Sequence, residues 1–221
     1  METVRTFFER AYSSVDRYWW NVAHAYSTIP EDHAGSLLGQ ETLRIARERT
    51  PGRAIDLGSG EGADAIRLAR LGWEVEAVEL TETGAAKISH RAREIGVRVK
   101  VHRKDVRDFQ PSGSFDIVIC NGVLHYIEAK EDICTKLKDM TNVGGINVVS
   151  LWSDYTPVPE SHQVVPTFPD SERGVVVNAY NGWIKRLLYF ERGKLEQSHG
   201  DMATHVHSHI KLIAVRRAVE S

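Results

Sequence analysis

This sequence predicts an α/β fold: a mostly parallel sheet with helices on both faces and an antiparallel hairpin at its carboxyl end. Three observations carry that expectation. Short apolar strands alternate with helical segments from residue 54 to residue 151. The runs at 115–120 and 146–151 are almost continuously apolar, as strands covered on both faces must be. A glycine-rich turn, Gly58-Ser59-Gly60-Glu61-Gly62, joins the first strand to its helix.

Residues 1–50 read as a helical extension or lid, and 51–221 as the main domain. Phe7, Phe8, Tyr12 and Val15 recur at helical spacing and lead into Tyr18-Trp19-Trp20, before a break at Pro30-Glu31-Asp32. A second helix over Gly39–Arg49, with Leu38, Thr42, Leu43 and Ala46 on one side, stops before Thr50-Pro51-Gly52. Strand and helix then alternate: Ala54–Leu57, Ala63–Leu71, Glu74–Leu80, Thr83–Ile95, Val99–Lys104, Phe115–Cys120, Lys130–Asn142 and Ile146–Leu151, the last entered through Gly144-Gly145. Prolines at 157, 159, 166 and 169 forbid regular structure, so about 152–170 is a substrate-side loop. A short helix over Ser171–Tyr180 follows. Strands Trp183–Phe190 and His207–Arg216, joined by a polar stretch with Gly193 and Gly200, close a seven-stranded sheet.

With 221 residues, 42% of them hydrophobic, the chain can bury one sizeable core. Its 28 basic against 30 acidic side chains provide no broad electrostatic footprint, so neither nucleic acid nor an anionic membrane is an expected partner. Two cysteines, Cys120 and Cys134, make neither a disulfide framework nor a close ligand pair. No secretory signal or membrane span is legible, and a cytoplasmic location is expected.

A glycine turn between strand and helix lets backbone N–H groups approach a ligand. Gly58, Gly60 and Ala63 also satisfy a relaxed dinucleotide fingerprint, with Glu79, 21 residues past Gly58, able to bind a ribose in either case. Asp56 separates the alternatives, because a carboxylate just before the glycines repels pyrophosphate and attracts the ammonium of a methionine moiety. Asp105, after the third strand, offers an acceptor for an adenine amine. Three acids at three successive strand ends suit a cationic, phosphate-free nucleoside such as S-adenosylmethionine.

On these residues the sequence resembles the class I methyltransferases, a Rossmann-like fold, and specifically the tellurite-resistance methyltransferase family and its small-molecule relatives. The resemblance spans roughly residues 35–217. It rests on Asp56–Gly62, Leu71-Gly72-Trp73-Glu74-Val75, Glu79, Asp105-Val106, Phe115-Asp116-Ile117-Val118, Val123-Leu124-His125-Tyr126-Ile127 and Thr141-Asn142-Val143-Gly144-Gly145-Ile146-Asn147. Further points are Tyr180-Asn181-Gly182-Trp183, His205-Val206-His207 and Lys211-Leu212-Ile213-Ala214. It implies S-adenosylmethionine as cofactor, held by Asp56, Gly58, Ser59, Gly60, Glu79, Leu80, Asp105, Val106, Asn121 and Tyr18. The family's frequent cysteine in the glycine loop is Ser59 here and its usual ribose aspartate is Glu79. Its carboxy-terminal His-Arg pair is replaced by Gly193-Lys194-Leu195-Glu196-Gln197, so tellurite does not carry over as substrate.

Methyl transfer is an in-line displacement and needs alignment and water exclusion more than a nucleophile. His125, just past the fourth strand, is the leading substrate-side residue. It serves as a base for a phenol, amine or alcohol, or as an anchor for an anion. His205, His207 and His209 share a strand face, and the first two are expected to bind an anionic acceptor. With no acid or cysteine at ligand spacing, no metal is expected there. Tyr12, Trp152 and Tyr155 are expected to wall the acceptor pocket. The expected function is methylation of a small anionic metabolite, carboxylate oxygen first. Chalcogen or thiol acceptors, phenols or amines, and a non-catalytic S-adenosylmethionine sensor or partner subunit are the alternatives, while oligomeric state is not legible. A nicotinamide oxidoreductase would bind NADH instead.

Overall fold

A computed structural model describes residues 2–16, 18, 37–196 and 203–218. Trp19, Trp20, the break at Pro30-Glu31-Asp32 and Gly200 lie outside the described residues.

The strands are β1 (Arg53–Leu57), β2 (Glu74–Glu79), β3 (Val99–Arg103), β4 (Phe115–Asn121), β5 (Thr141–Trp152), β6 (Ile184–Glu196) and β7 (His205–Val215). They form one sheet in the order β3-β2-β1-β4-β5-β7-β6. β1 to β5 are parallel; β7 runs antiparallel to both β5 and β6. The helices are α1 (Val4–Ser14), α2 (Leu37–Arg47), α3 (Ala63–Arg70), α4 (Glu82–Ile95), α5 (Lys130–Asp139) and α6 (Val175–Ala179). The expected architecture is therefore present, with the last helix cut to five residues and the final hairpin lengthened.

Strand alternation sorts the core into two layers. Ile55, Leu57, Val118, Cys120, Val149 and Leu151 face α5 and α6. Ala54, Ile117, Ile119, Ile146 and Val148 face α2, α3 and α4, whose Ile45, Ala46, Leu68 and Ile88 complete that layer. Both cysteines are buried and free.

The Asn-Val-Gly-Gly segment proves structural. Asn142 Nδ2 donates to Asp116 Oδ1 at 2.8 Å, and the other oxygen of Asp116 accepts from the Arg53 amide at 2.9 Å. Asn147 donates to Thr141 Oγ1 at 2.6 Å and accepts from the fully buried Tyr180 hydroxyl at 2.8 Å. Buried polar groups satisfied in this way pin α6 to β5. The segment is also part of β5 itself, with Gly144 alone in the left-handed region at φ 77°.

The amino-terminal helix folds back on the main sheet domain. The Glu9 carboxylate accepts from the amides of Glu82 (2.8 Å) and Thr83 (3.0 Å) and from the Thr83 hydroxyl, so α1 caps the first turn of α4. Lys87 Nζ donates to the Val15 carbonyl at 2.7 Å, and Arg91 to that of Asp16 at 2.7 Å.

Candidate active site

One cavity of about 380 Å³ runs along the carboxyl edge of the parallel strands, where open α/β sheets bind ligands. Its two ends differ in chemistry.

The first end is built on the glycine turn. Gly58, Gly60 and Gly62 have φ of 73°, 58° and 84°, and a Cβ on Gly58 would sit 2.3 Å from Val123 Cγ2, so glycine is required there by both backbone and space. The amides behave differently from the sequence expectation. Those of Gly58 and Ser59 donate to the Val78 carbonyl at 2.8 and 3.0 Å, that of Gly60 to Glu79 Oε2 at 2.9 Å, and that of Gly62 to the Ser59 carbonyl at 2.8 Å. These four N–H groups stabilise the turn and do not form a phosphate cradle. The same end carries the carboxylates of Asp56, Glu61, Asp64 and Glu79. A pyrophosphate has no place in it.

Asp56 is buried at the end of β1, and Ser59 Oγ donates to it at 2.6 Å. Burial, with the neighbouring Asp64 charge added, pushes its carboxyl up to about 7. Such a group gains most from a cationic partner. Glu79 takes bonds from Gly60, from the Thr81 amide (2.9 Å) and from the Thr81 hydroxyl (2.6 Å); burial still raises its pKa against those bonds. Asp105 lines the cavity, but the side chain of Arg107 holds it from both oxygens at 2.6 and 2.9 Å and lowers its pKa, so a ligand must share that carboxylate. Leu80 and Val106 supply apolar walls, and Asn121 is fastened to Asp64 at 3.3 Å and to the Ser150 hydroxyl.

Tyr12 and Tyr18 both line the cavity, in edge contact at a centroid distance of 6.0 Å. What holds Tyr18 there is Glu61, whose carboxylate accepts from the Tyr18 amide at 3.1 Å and pairs with Lys87 at 2.8 Å. Sequence reasoning passed over Glu61 because the glycine pattern leaves its position unconstrained; only the fold brings residues 18, 61 and 87 together.

The second end is an aromatic and imidazole stack. His125 lies on a 3₁₀ turn (Leu124–Tyr126), with its ring parallel to Trp152 at 3.9 Å; the far face of Trp152 carries His207 at 4.2 Å. The Trp152 amide donates to His125 Nδ1 at 3.3 Å, which places the proton of the neutral ring on Nε2. Burial, aided by the neighbouring histidines and Lys130, drives the His125 pKa well below its usual value. The bond to Nδ1 and the lowered pKa favour a neutral His125 ring that donates through Nε2–H.

His209 and Lys211 of β7 also line this end, facing Glu191 of β6 at 3.4 and 2.9 Å. Burial works against the Glu191 charge, yet bonds from His209 and Lys211 bring its pKa down to about 2. His205 is buried behind His207, at a ring distance of 4.8 Å. His162, on a 3₁₀ turn (Glu160–His162) in the proline-rich loop, reaches both, at 4.5 and 4.7 Å. No periodicity or spacing links residue 162 to residue 205, so the sequence held no signal for that meeting.

Tyr155 requires correction. It is 58% exposed, outside the cavity wall, with the Arg192 guanidinium 4.9 Å above its ring. A surface cation–π contact claims it once the chain leaves β5 and turns outward. Trp152 does line the cavity.

Residues 54–145 match the family model described as "Methyltransferase domain". That match marks this segment as similar to a methyltransferase domain. The residues present fit S-adenosylmethionine: acids without a phosphate cradle, a buried carboxyl at Asp56, and apolar walls at Leu80 and Val106.

The resemblance to tellurite-resistance enzymes is found again. The crystal structure of TehB from Haemophilus influenzae superposes with a TM-score of 0.69 at 20% identity, over 80% of this chain and 62% of that one. In sequence, the probable S-adenosyl-L-methionine-dependent methyltransferase TehB of that organism is 24% identical over 54% of this chain and 43% of its own length. A ubiquinone biosynthesis O-methyltransferase from Rickettsia felis is 27% identical over 63% of this chain and 58% of its own length. The trans-aconitate 2-methyltransferase of Mycolicibacterium gilvum is 31% identical over 57% and 46%. The chain thus spans about half the length of these curated relatives. Among the described residues no helix is long and apolar enough to cross a membrane.

Proposed function

We propose that the whole chain transfers the methyl group of S-adenosylmethionine to a small anionic metabolite, with a carboxylate oxygen as the favoured acceptor. The supporting observation is the division of one cavity into an acid-rich cofactor end and an end lined by His125, His207, His209 and Lys211.

Bound S-adenosylmethionine supplies an electrophilic methyl on a sulfonium. The protein does the rest by position. Asp56 and Glu79 hold the cofactor's polar groups, Asn121 and Ser150 stand at the junction of the two ends, and Tyr12, Tyr18 and Phe8 cover the cavity from the α1 side. In this reading α1 and Tyr18 form a lid that excludes water during transfer. An anionic oxygen needs no base; it needs donors, and His125 Nε2–H with the β7 face offers them. The name of the trans-aconitate relative is compatible with that acceptor class.

A phenolic acceptor is the second reading, favoured by the name of the ubiquinone-pathway relative. It needs a proton acceptor in the cavity, and His125, with Nδ1 occupied and Nε2 protonated, does not serve. The deciding experiment incubates the full chain with labelled S-adenosylmethionine and a panel of di- and tricarboxylates, phenols, thiols and selenite. Label confined to carboxylates is the expected result, and label confined to phenols or amines overturns the proposal. Stabilisation by S-adenosylhomocysteine without any turnover across the panel points to a cofactor sensor instead.

A further inference from the structure

We infer that His162, His205 and His207 bind one divalent transition-metal ion of zinc-like preference at the acceptor end of the cavity. Among the described residues they are the one set of three potential ligands whose donor atoms all lie within 4.8 Å of one another, and all three are buried. Nitrogens on a tetrahedral ion with bonds of about 2.1 Å stand roughly 3.4 Å apart, so closure needs ring shifts of about an ångström. Three imidazoles with a vacant fourth position are a ligand set that suits zinc and its neighbours.

Ring orientation supports the inference independently of distance. His205 Nδ1 stands 2.6 Å from the Ala203 carbonyl, which assigns its proton to that nitrogen and leaves the Nε2 lone pair as the donor. A ligand histidine held by a backbone carbonyl through its other nitrogen is the usual support of a metal site. His207 is fixed by its stack on Trp152 at 4.2 Å, and His162 meets the edge of the same indole at 5.1 Å. The loop carrying His162 is itself anchored: the Glu2 amide donates to the Val164 carbonyl at 2.9 Å, and Val165 packs on Phe7 of α1. The rings are therefore presented from two rigid sides, strand β7 and the anchored loop. The carboxylate of Glu196 has Oε2 3.5 Å from His205 Nε2 and balances part of an ion's charge.

His162 and His207 line the cavity, so the open coordination position faces the acceptor. Resting on the function proposed above, the ion would hold an anionic oxygen of that acceptor and fix its angle toward the methyl group. It would also clip the proline-rich loop to the sheet, 43 residues apart from His162 to His205.

The test uses the full chain, stripped with a chelator and titrated with Zn²⁺ and separately with Co²⁺, without cofactor or acceptor. The expected result is one ion retained per chain, Co²⁺ ligand-field bands of four-coordinate intensity, and a zinc-dependent rise in Tm. His207→Ala and His162→Gln should each weaken binding by more than about 100-fold, while His209→Ala leaves it unchanged. No retained ion, or equal retention by His162→Gln and the parent chain, overturns the proposal; so does loss of the ion in His209→Ala. Circular dichroism reports whether each variant folds, and should His207→Ala fail to, the loop variant His162→Gln decides. S-adenosylhomocysteine binding measured on the same samples separates the two readings. Cofactor binding without metal removes this site alone, and metal without cofactor binding removes the methyltransferase reading alone.

Discussion

The two ends of the cavity are built by different means. The acid-rich end is assembled from consecutive strand termini, each carrying its acid within two residues of the end of β1, β2 or β3, so that strand pairing with the short turn after β3 brings Asp56, Glu79 and Asp105 to one edge. The acceptor end draws on a 3₁₀ turn, the end of β5, a loop residue at 162 and alternate positions of β7. Its geometry is held by ring stacking and by contacts far apart in sequence. The contrast teaches that a site made at strand ends is robust to loop change, whereas one made by a stack depends on every ring in it.

Trp152→Ala attacks the stack most directly. Removing a nearly buried indole between two imidazoles should cost about 3–5 kcal/mol of stability. Acceptor turnover should collapse while S-adenosylhomocysteine affinity, measured by calorimetry, stays within a few-fold. A parallel loss of cofactor affinity would show that the two ends are not separable.

Asp56→Asn probes the other end. A charge-assisted bond to the methionine ammonium is worth about 1.5–3 kcal/mol, so affinity for S-adenosylhomocysteine should fall roughly 10- to 100-fold. The ligand-free protein should move the opposite way. The carboxyl titrates from 3.8 when unfolded up to about 7 when folded, so the fold favours its protonated form. That favour is full below 3.8 and is lost as pH rises through 7. Asp56→Asn should therefore melt above the parent chain at pH 8, with the gap closing as the buffer is taken toward 4. A parent chain that melts higher at pH 8 would contradict the assignment.

Glu9→Gln tests the tether between α1 and α4. Weakening the carboxylate cap on the Glu82 and Thr83 amides should cost about 1 kcal/mol and speed hydrogen exchange in α1. Release of S-adenosylhomocysteine should quicken modestly, because Tyr12 on α1 loses its footing. Unchanged exchange in α1 would mean that Lys87 and Arg91 suffice. The smallest effect belongs to Tyr155→Ala. An exposed ring under Arg192 should shift stability by no more than about 0.5 kcal/mol and leave acceptor KM unaltered. A raised KM would return Tyr155 to the site.

Asp56, Glu79 and the glycines were legible because strand period and turn chemistry fix their relative positions within a few residues. The function of the loop amides was not. The pattern permits a phosphate cradle, and it is the Val78 carbonyl and Glu79 carboxylate of β2, with the Ser59 carbonyl of the turn, that occupy those N–H groups. Tyr155 was misplaced for a related reason: sequence adjacency to Trp152 says nothing about which way the chain turns after the strand.

The sequence by itself determined the α/β class, the parallel sheet with its closing hairpin, the acids at its strand ends and the histidine ladder at 205 and 207. Those features depend on periodicities of two and 3.6 residues and on glycine's access to positive φ, all of which are local. Only the tertiary structure decided that His125 is a buried neutral donor, that Glu61 pins Tyr18, and that His162 joins His205 and His207. Burial and the meeting of distant segments are properties of the packed chain, and no short window of residues contains them.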